Sequence, residues 1–212
     1  FRPIVSTITN LTPDHLDYFD SLEDYYQSKI LVYKNQLEDD WFIRNIDDSV
    51  IMEYATDIPC QIIDLSLKGK SDLYRKEGVI YLFDEVLFLE SDLQVVGEHN
   101  LLNAMIAGAM AYKMGVHPDN IRQSIQNFKG VEHRIEFVKE INGVKYYNDS
   151  KATNVDSTIV ALKSFQQPVI LLAGGYDKKT GFADLKPYLN QVKKLIVYGD
   201  TREQLQLLKE DS

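Results

Sequence analysis

From residue 135 onwards, short apolar runs alternate with helical patterns, and that alternation restricts the fold more than any other feature of the chain. Residues 135–141 and 144–148 flank Asn142-Gly143, a dipeptide that accepts positive φ at both positions and so closes a two-residue hairpin. Beyond it come a helical stretch at 155–165, an apolar strand at 169–173, a helix at 182–189, a strand at 195–198 and a helix at 202–208. Strands separated by helices pair in parallel through right-handed crossovers, so an α/β domain is expected here.

The region before it reads differently. A strand at residues 4–8 runs into the polar loop Asn10-Leu11-Thr12-Pro13-Asp14-His15, followed by a helix over 21–36 whose start is marked by a Ser21/Asp24 capping box. Short β-like runs follow at 41–44, 50–54 and 61–65, and residues 79–83 and 86–89 flank Asp84-Glu85 as a hairpin. Gly97 introduces an alanine- and methionine-rich helix over 98–114 that is apolar on most sides and therefore expected to be buried; a second helix spans 118–128. The pattern changes at Lys129-Gly130, which divides the chain into 1–129 and 130–212.

With 212 residues and 44% hydrophobic content the chain can fill one large or two modest cores. A formal net charge of −9 disfavours nucleic acid and anionic membrane surfaces as partners, so any anionic ligand must be held by local cations. One cysteine, Cys60, excludes an internal disulfide framework and a zinc cluster, and fits the reducing cytoplasm. No apolar stretch approaches the roughly 18 to 20 residues of a membrane span. The opening Phe1-Arg2-Pro3, without methionine or signal-like segment, is expected to lie inside a longer, soluble gene product.

Several segments can carry chemistry. At 100° per residue Leu22, Tyr26, Lys29 and Tyr33 share a narrow arc, which puts Lys29 at the centre of an apolar stripe. Desolvation there disfavours the ammonium and leaves a nucleophilic amine; the alternative is a lysine that snorkels past the tyrosines. Asp14, His15 and Asp17 cluster after a strand, at the end where open α/β sheets bind ligands, and His15 offers an imidazole to a metal; a capped loop without metal is the plainer reading. His99, Asn100 and Asn103 interrupt an apolar helix, and Asn100 and Asn103, three apart, can face one ligand such as a purine edge, or simply cap and bridge helices. Asp149-Ser150-Lys151-Ala152-Thr153-Asn154 lies between a strand and a helix, where free N–H groups, the helix dipole and Lys151 together suit an anion. His133-Arg134 adds a cation nearby in sequence, and Gly174-Gly175-Tyr176-Asp177-Lys178 follows a buried strand with glycines that permit close backbone approach.

The order and spacing of these segments resemble the Mur ligase family, the ATP-dependent amide-forming enzymes of peptidoglycan synthesis. The resemblance spans nearly the whole chain. It implies an α/β fold made of the second half of a central ATP-binding domain, 1–129, followed by most of a Rossmann-like C-terminal domain, 130–212. It implies that His15 and a carbamylated Lys29 place Mg²⁺, that Asn100, Asn103, Arg134 and Asp149 contact ATP, that Lys151 and Thr153 line the reacting carboxylates, and that Lys178 meets the incoming amino acid. Within the family, Asp149 to Asn154 is similar to the branch that adds D-glutamate to UDP-N-acetylmuramoyl-L-alanine through an acyl phosphate, and the turn at 174–178 agrees. Another Mur ligase, a folylpolyglutamate synthetase-like ligase and a non-catalytic nucleotide-binding module are the rival readings. The family's GxxGK[ST] phosphate loop does not occur in these residues, so the chain by itself is expected to be inactive.

Overall fold

Phe42 and Ile43 are neighbours in one strand, and both are fully buried. Successive side chains of a strand point to opposite faces, so the sheet that holds them is covered on both sides. The computed structural model describes residues 1–13, 18–177 and 181–210, with the helix alone described at 209–210. The chain divides into two units, Phe1–Gln94 with Asn100–Phe128, and Val95–His99 with Lys129–Ser212.

The first unit is built on a sheet of β1 (Val5–Thr7), β2 (Trp41–Asn45), β3 (Gln61–Ser66), β4 (Leu73–Lys76), β5 (Val79–Leu82) and β6 (Glu85–Leu89), side by side in chain order. The first four strands are parallel, and β5 and β6 pair antiparallel at the end. On one face Phe42 packs with Tyr25 and Tyr26 of α1 (Leu22–Ile30), with Tyr33, and with Ile51 of α2 (Ser49–Tyr54). On the other, Ile43, Ile63 and Phe88 meet Met105 and Ala109 of α3 (Glu98–Lys113) and Ile121 of α4 (Pro118–Asn127). Each such side chain contributes about 1.5–3 kcal/mol by leaving water, so the double-sided core outweighs the local preferences of single elements.

That outcome is visible at residues 50–54, where the β-like composition gives way to α2. Asp48 caps it by accepting hydrogen bonds from the Val50 and Ile51 N–H groups, and Ile51 is buried beneath it. The helix expected over 21–36 is shorter: α1 ends at Ile30 and tightens into a 3₁₀ turn at Leu31–Tyr33. β4, whose Leu73 and Tyr74 are both buried, lacks the alternation that would have announced it.

In the second unit, β7 (Glu136–Ile141) and β8 (Val144–Asn148) form the expected hairpin across Asn142 and Gly143, both at positive φ. α5 (Val155–Lys163) leads to β9 (Val169–Gly175), which pairs in parallel with β10 (Val192–Gly199), and α6 (Arg202–Glu210) follows. Between β9 and β10 the chain forms a 3₁₀ segment, Ala183–Gln191, rather than the expected α-helix; Pro187 inside it has no N–H to donate. Ile159, Leu162, Leu185, Leu189, Val192 and Leu205 make the core on one face of the pair. Ile170, Leu172, Ile196 and Tyr198 are exposed. No described helix is long and apolar enough to cross a membrane.

Gly174 has a φ of +149°, and a Cβ on it would stand 1.9 Å from the Tyr198 carbonyl oxygen of β10. Gly174→Ala is therefore expected to destabilise the protein by about 2–3 kcal/mol. Gly69→Ala, with nothing within 4 Å of the added carbon, is the control and is expected to change the unfolding midpoint little. Calorimetric unfolding of the two variants checks this; equal midpoints would contradict the close approach.

Candidate active site

In the first unit, chemistry gathers where β1 ends. Thr7, Ile8, Thr9 and Asn10 line a cavity of about 350 Å³ together with Tyr25 and Lys29 of α1 and Val32. The strand end is fixed by the Thr7 hydroxyl, which donates to the Ile43 carbonyl at 2.8 Å, and the start of α1 by Ser21, whose hydroxyl oxygen accepts from the Asp24 N–H at 3.1 Å. Tyr25 and Tyr26 take the buried directions of the helix.

Lys29 does face the direction that the helical pattern gives it, but the expectation that it is buried is wrong. Its side chain is exposed and lines the open cavity, with Nζ 4.9 Å from the centre of the Tyr25 ring. It lies in the last turn of α1, where Tyr25 and Val32 flank it at the cavity rather than covering it. The arrangement resembles the snorkelling alternative, an ammonium on an aromatic face. Tyr25 flanks the stripe in the helical pattern, whereas Thr7 and Thr9 are not singled out by it; polar threonines at the end of a strand, followed by Asn10, are the available signal. His15, like Asp14 and Asp17, lies outside the described residues. Among the described residues no group of three or more His, Cys, Asp or Glu side chains could hold a metal ion.

On α3, Asn100 is half-buried and Asn103 is exposed. Three residues apart, they lie on one side of the helix.

The second unit brings together His99, Arg134 and Asp149. Arg134 sits between two non-glycine residues at positive φ, His133 at +67° and Ile135 at +45°, and for a β-branched isoleucine that is strained backbone. The kink is tied down on both sides. The Ile135 N–H donates to Asp149 Oδ1 at 3.0 Å, and the Lys151 N–H donates to the His133 carbonyl at 3.0 Å. His133 N–H donates to Glu136 Oε2 at 2.8 Å, and His133 Nδ1 lies 2.8 Å from Asn148 Nδ2. So the His133-Arg134 segment and the Asp149 turn form one stitched structure, although they are separated by the whole β7–β8 hairpin.

The turn itself is ordered by its own backbone: Ala152 N–H donates to the Asp149 carbonyl and Thr153 N–H to that of Lys151, both at 2.9 Å. Asn154 then caps α5, accepting from the Ser157 N–H at 2.8 Å. The side chains of Lys151 and Thr153 are exposed beside this helix start, as is that of Arg134. Asp149 is half-buried, and burial pushes its carboxyl above the usual carboxylate range, opposed by the Ile135 N–H and by the charges of Arg134 and His99. His99 is shifted the other way: burial and the Arg134 guanidinium lower its pKa, against Asp149. Its Nε2 is buried and has no hydrogen-bond partner. Gly174 and Gly175 pair within β9 rather than in a turn after it, and the strand, expected to be buried, leaves Ile170 and Leu172 exposed on one face; Lys178 lies outside the described residues.

Residues 1–111 match the Mur ligase middle domain, and residues 133–211 match the Mur ligase, glutamate ligase domain. The chain is 41% identical to the UDP-N-acetylmuramoylalanine–D-glutamate ligase of Thermoanaerobacter sp. (strain X514), over 97% of its own length and 47% of that protein. It is 40% identical to the enzyme of the same name from Listeria monocytogenes serovar 1/2a, covering 97% of this chain and 46% of the relative. Among solved structures, MurF from Acinetobacter baumannii superposes with a TM-score of 0.73 at 20% identity, covering 99% of this chain and 49% of that one. UDP-N-acetylmuramate-alanine ligase MurC from Thermotoga maritima gives 0.71 at 18% identity, covering 100% and 50%. The chain thus spans about half the length of the relatives it matches.

The raised Asp149 carboxyl has a consequence for stability. A carboxyl whose folded pKa exceeds its unfolded value, about 3.9 for Asp, lends stability that is complete below the unfolded value and is lost as pH rises through the folded one. Asp149→Asn, which keeps an oxygen for the Ile135 N–H, is therefore expected to be more stable than the native protein at pH 7. The difference should shrink as pH falls towards 4. Urea unfolding of both proteins across that range checks it, and a variant less stable than the native protein at pH 7 would contradict the assigned burial.

Proposed function

The chain belongs to the Mur ligase family, and on that premise we propose that its protein joins D-glutamate to UDP-N-acetylmuramoyl-L-alanine, with conversion of ATP to ADP and phosphate, in the synthesis of the peptidoglycan precursor. The observation that carries this reading is the capped turn from Asp149 to Asn154, stitched to Arg134 through Ile135 and Lys151. The 41% identity to a ligase named for D-glutamate supports the choice of amino acid.

In this reading the carboxylate of the alanyl substrate takes the γ-phosphoryl group of ATP, and the D-glutamate amine then attacks the acyl carbon and displaces phosphate. The chain's part is to hold charge and orientation. Arg134 and Asp149, with Asn100 and Asn103, contact the nucleotide. Lys151, exposed just before the cap of α5, sits with Thr153 beside the reacting carboxylates, where the cation and the helix N–H groups offset developing negative charge. Lys178 meets D-glutamate.

Mg²⁺ would be placed by His15 and by Lys29 as its carbamate, and would neutralise phosphoryl charge when bound. The cavity around Lys29 suits that role: it is open enough for CO₂ to reach the amine, and the carbamate would set two oxygens beside Thr7, Thr9 and Asn10, the hard donors Mg²⁺ prefers. Burial of the amine is not what favours the modification here, since Lys29 is exposed. The proposed nucleotide-linked substrate and ATP support a cytoplasmic reaction.

The test uses the full-length protein with UDP-N-acetylmuramoyl-L-alanine, Mg²⁺, ATP and a panel of amino acids. ADP release is expected to require D-glutamate and not L-glutamate, L-alanine or a diamino acid. Lys151→Ala is expected to lower kcat/KM by about 10²- to 10³-fold without moving the unfolding midpoint, the size associated with removing one preorganised charge-stabilising group. Turnover with a different amino acid would assign the protein to another branch, and nucleotide binding without turnover would favour a non-catalytic role.

A further inference from the structure

We propose that His99 is a positioning residue for Asp149: its imidazole rests on the bare α-carbon of Gly97 and turns its buried, unpartnered Nε2 to the Asp149 carboxylate when a nucleotide engages that carboxylate. The proposal rests on the reading that Asp149 contacts the nucleotide, and goes beyond it by giving a task to the one residue of the His99-Asn100-Asn103 group that faces no ligand in that reading.

Three observations converge. Nε2 of His99 is the single buried side-chain polar atom without a hydrogen-bond partner among the described residues. Native structures rarely leave such an atom unpaired, and a state that supplies a partner is favoured over one that does not. Next, the seat of the ring is specific. Gly97 has a φ of +99°, and a Cβ there would stand 2.6 Å from His99 Cε1, 2.8 Å from His99 Nδ1 and 2.7 Å from Ser164 Oγ. Only glycine lets the imidazole lie back over the chain that precedes α3. Finally, the charges of Asp149 and Arg134 both reach the ring, so imidazole, carboxylate and guanidinium share one electrostatic neighbourhood.

Asp149 is already held through Oδ1 by the Ile135 N–H. A hydrogen bond from His99 Nε2–H to Oδ2 would fix the second oxygen and so the rotation of the carboxylate. Arg134, whose side chain is exposed, is not confined in the same way. A ring that is kept neutral donates without adding charge to a site that already holds a guanidinium and a lysine.

The experiment compares His99→Leu and His99→Gln in the full-length protein. His99→Leu is expected to raise the KM for ATP about tenfold, the scale of one hydrogen bond to a charged group. The kcat and the KM for the UDP-linked substrate should stay within about threefold, the pattern of lost binding rather than lost chemistry. His99→Gln, whose amide nitrogen extends to about the reach of Nε2, should recover most of the ATP affinity. A purely structural role would instead lower the unfolding midpoint and all kinetic parameters together, and that result, or an unchanged KM for ATP, overturns the proposal. If the native protein binds ATP but shows no ligase turnover, the functional reading fails on its own. Calorimetric ATP binding to the same variants then decides the role of His99, with an unchanged Kd counting against it.

Discussion

Parallel strands cannot be joined by a tight turn, and both units take their plan from that constraint. A parallel neighbour that runs alongside its predecessor requires the chain to leave the sheet, cross one face and return, whereas β4, which pairs only with the end of β3, follows it through a short link; the segments that leave the carboxyl ends of strands lie where open α/β sheets bind ligands. In the first unit such a segment leaves β1 and carries Ile8, Thr9 and Asn10 to the cavity beside Lys29. In the second, β9 ends in Gly174 and Gly175 and its return runs through the 3₁₀ segment to β10. The burial of Phe42, Ile43, Ile63 and Leu65 holds the β2–β3 register in place, because a slip of one residue would carry every core side chain to the wrong face.

The second unit ties a strained kink to a turn that lies beyond a whole hairpin. Positive φ at His133 and Ile135 costs about 1–3 kcal/mol each, and such backbone persists only where its surroundings over-determine it. Here the surroundings are the Asp149 carboxylate, the Lys151 N–H, the Glu136 carboxylate and Asn148, all from the hairpin or the turn that follows it. The kink is therefore held by the turn, which its own backbone hydrogen bonds order, and the connection explains why a cation and a turn far apart in the chain form one local structure.

How much of this was legible beforehand depends on how local the cause is. Asn142-Gly143 fixed its hairpin because turn chemistry acts over two residues, and Asn154 and Ser21 cap the helices that their side chains announce. The segment 50–54 was misread because Val50, Ile51 and Tyr54 favour strands by composition, while the helix there depends on the Asp48 cap and on the burial of Ile51. Lys29 shows a different failure. Its angular position was right, but angle says nothing about what stands opposite, and what stands opposite is a cavity. His99 is the opposite case: helical spacing grouped it with Asn100 and Asn103, whereas its electrostatic neighbours are Arg134 and Asp149, a relation of tertiary structure that no local window contains.

The electrostatics follow one logic. A chain of net charge −9 repels anionic ligands at a distance, so its attraction must be short in range and strongly directed. The backbone around Lys151 and Thr153 is pinned by hydrogen bonds while their side chains stand in solvent, which keeps the cation hydrated and inexpensive until a ligand arrives. Asp149 and His99 are the reverse, half-buried groups whose ionised forms burial disfavours. A fixed frame with solvated charges at its rim and half-buried titratable groups behind it gains most of its electrostatic strength only when a ligand excludes water. That is the condition under which charge stabilisation favours a transition state more than the free protein.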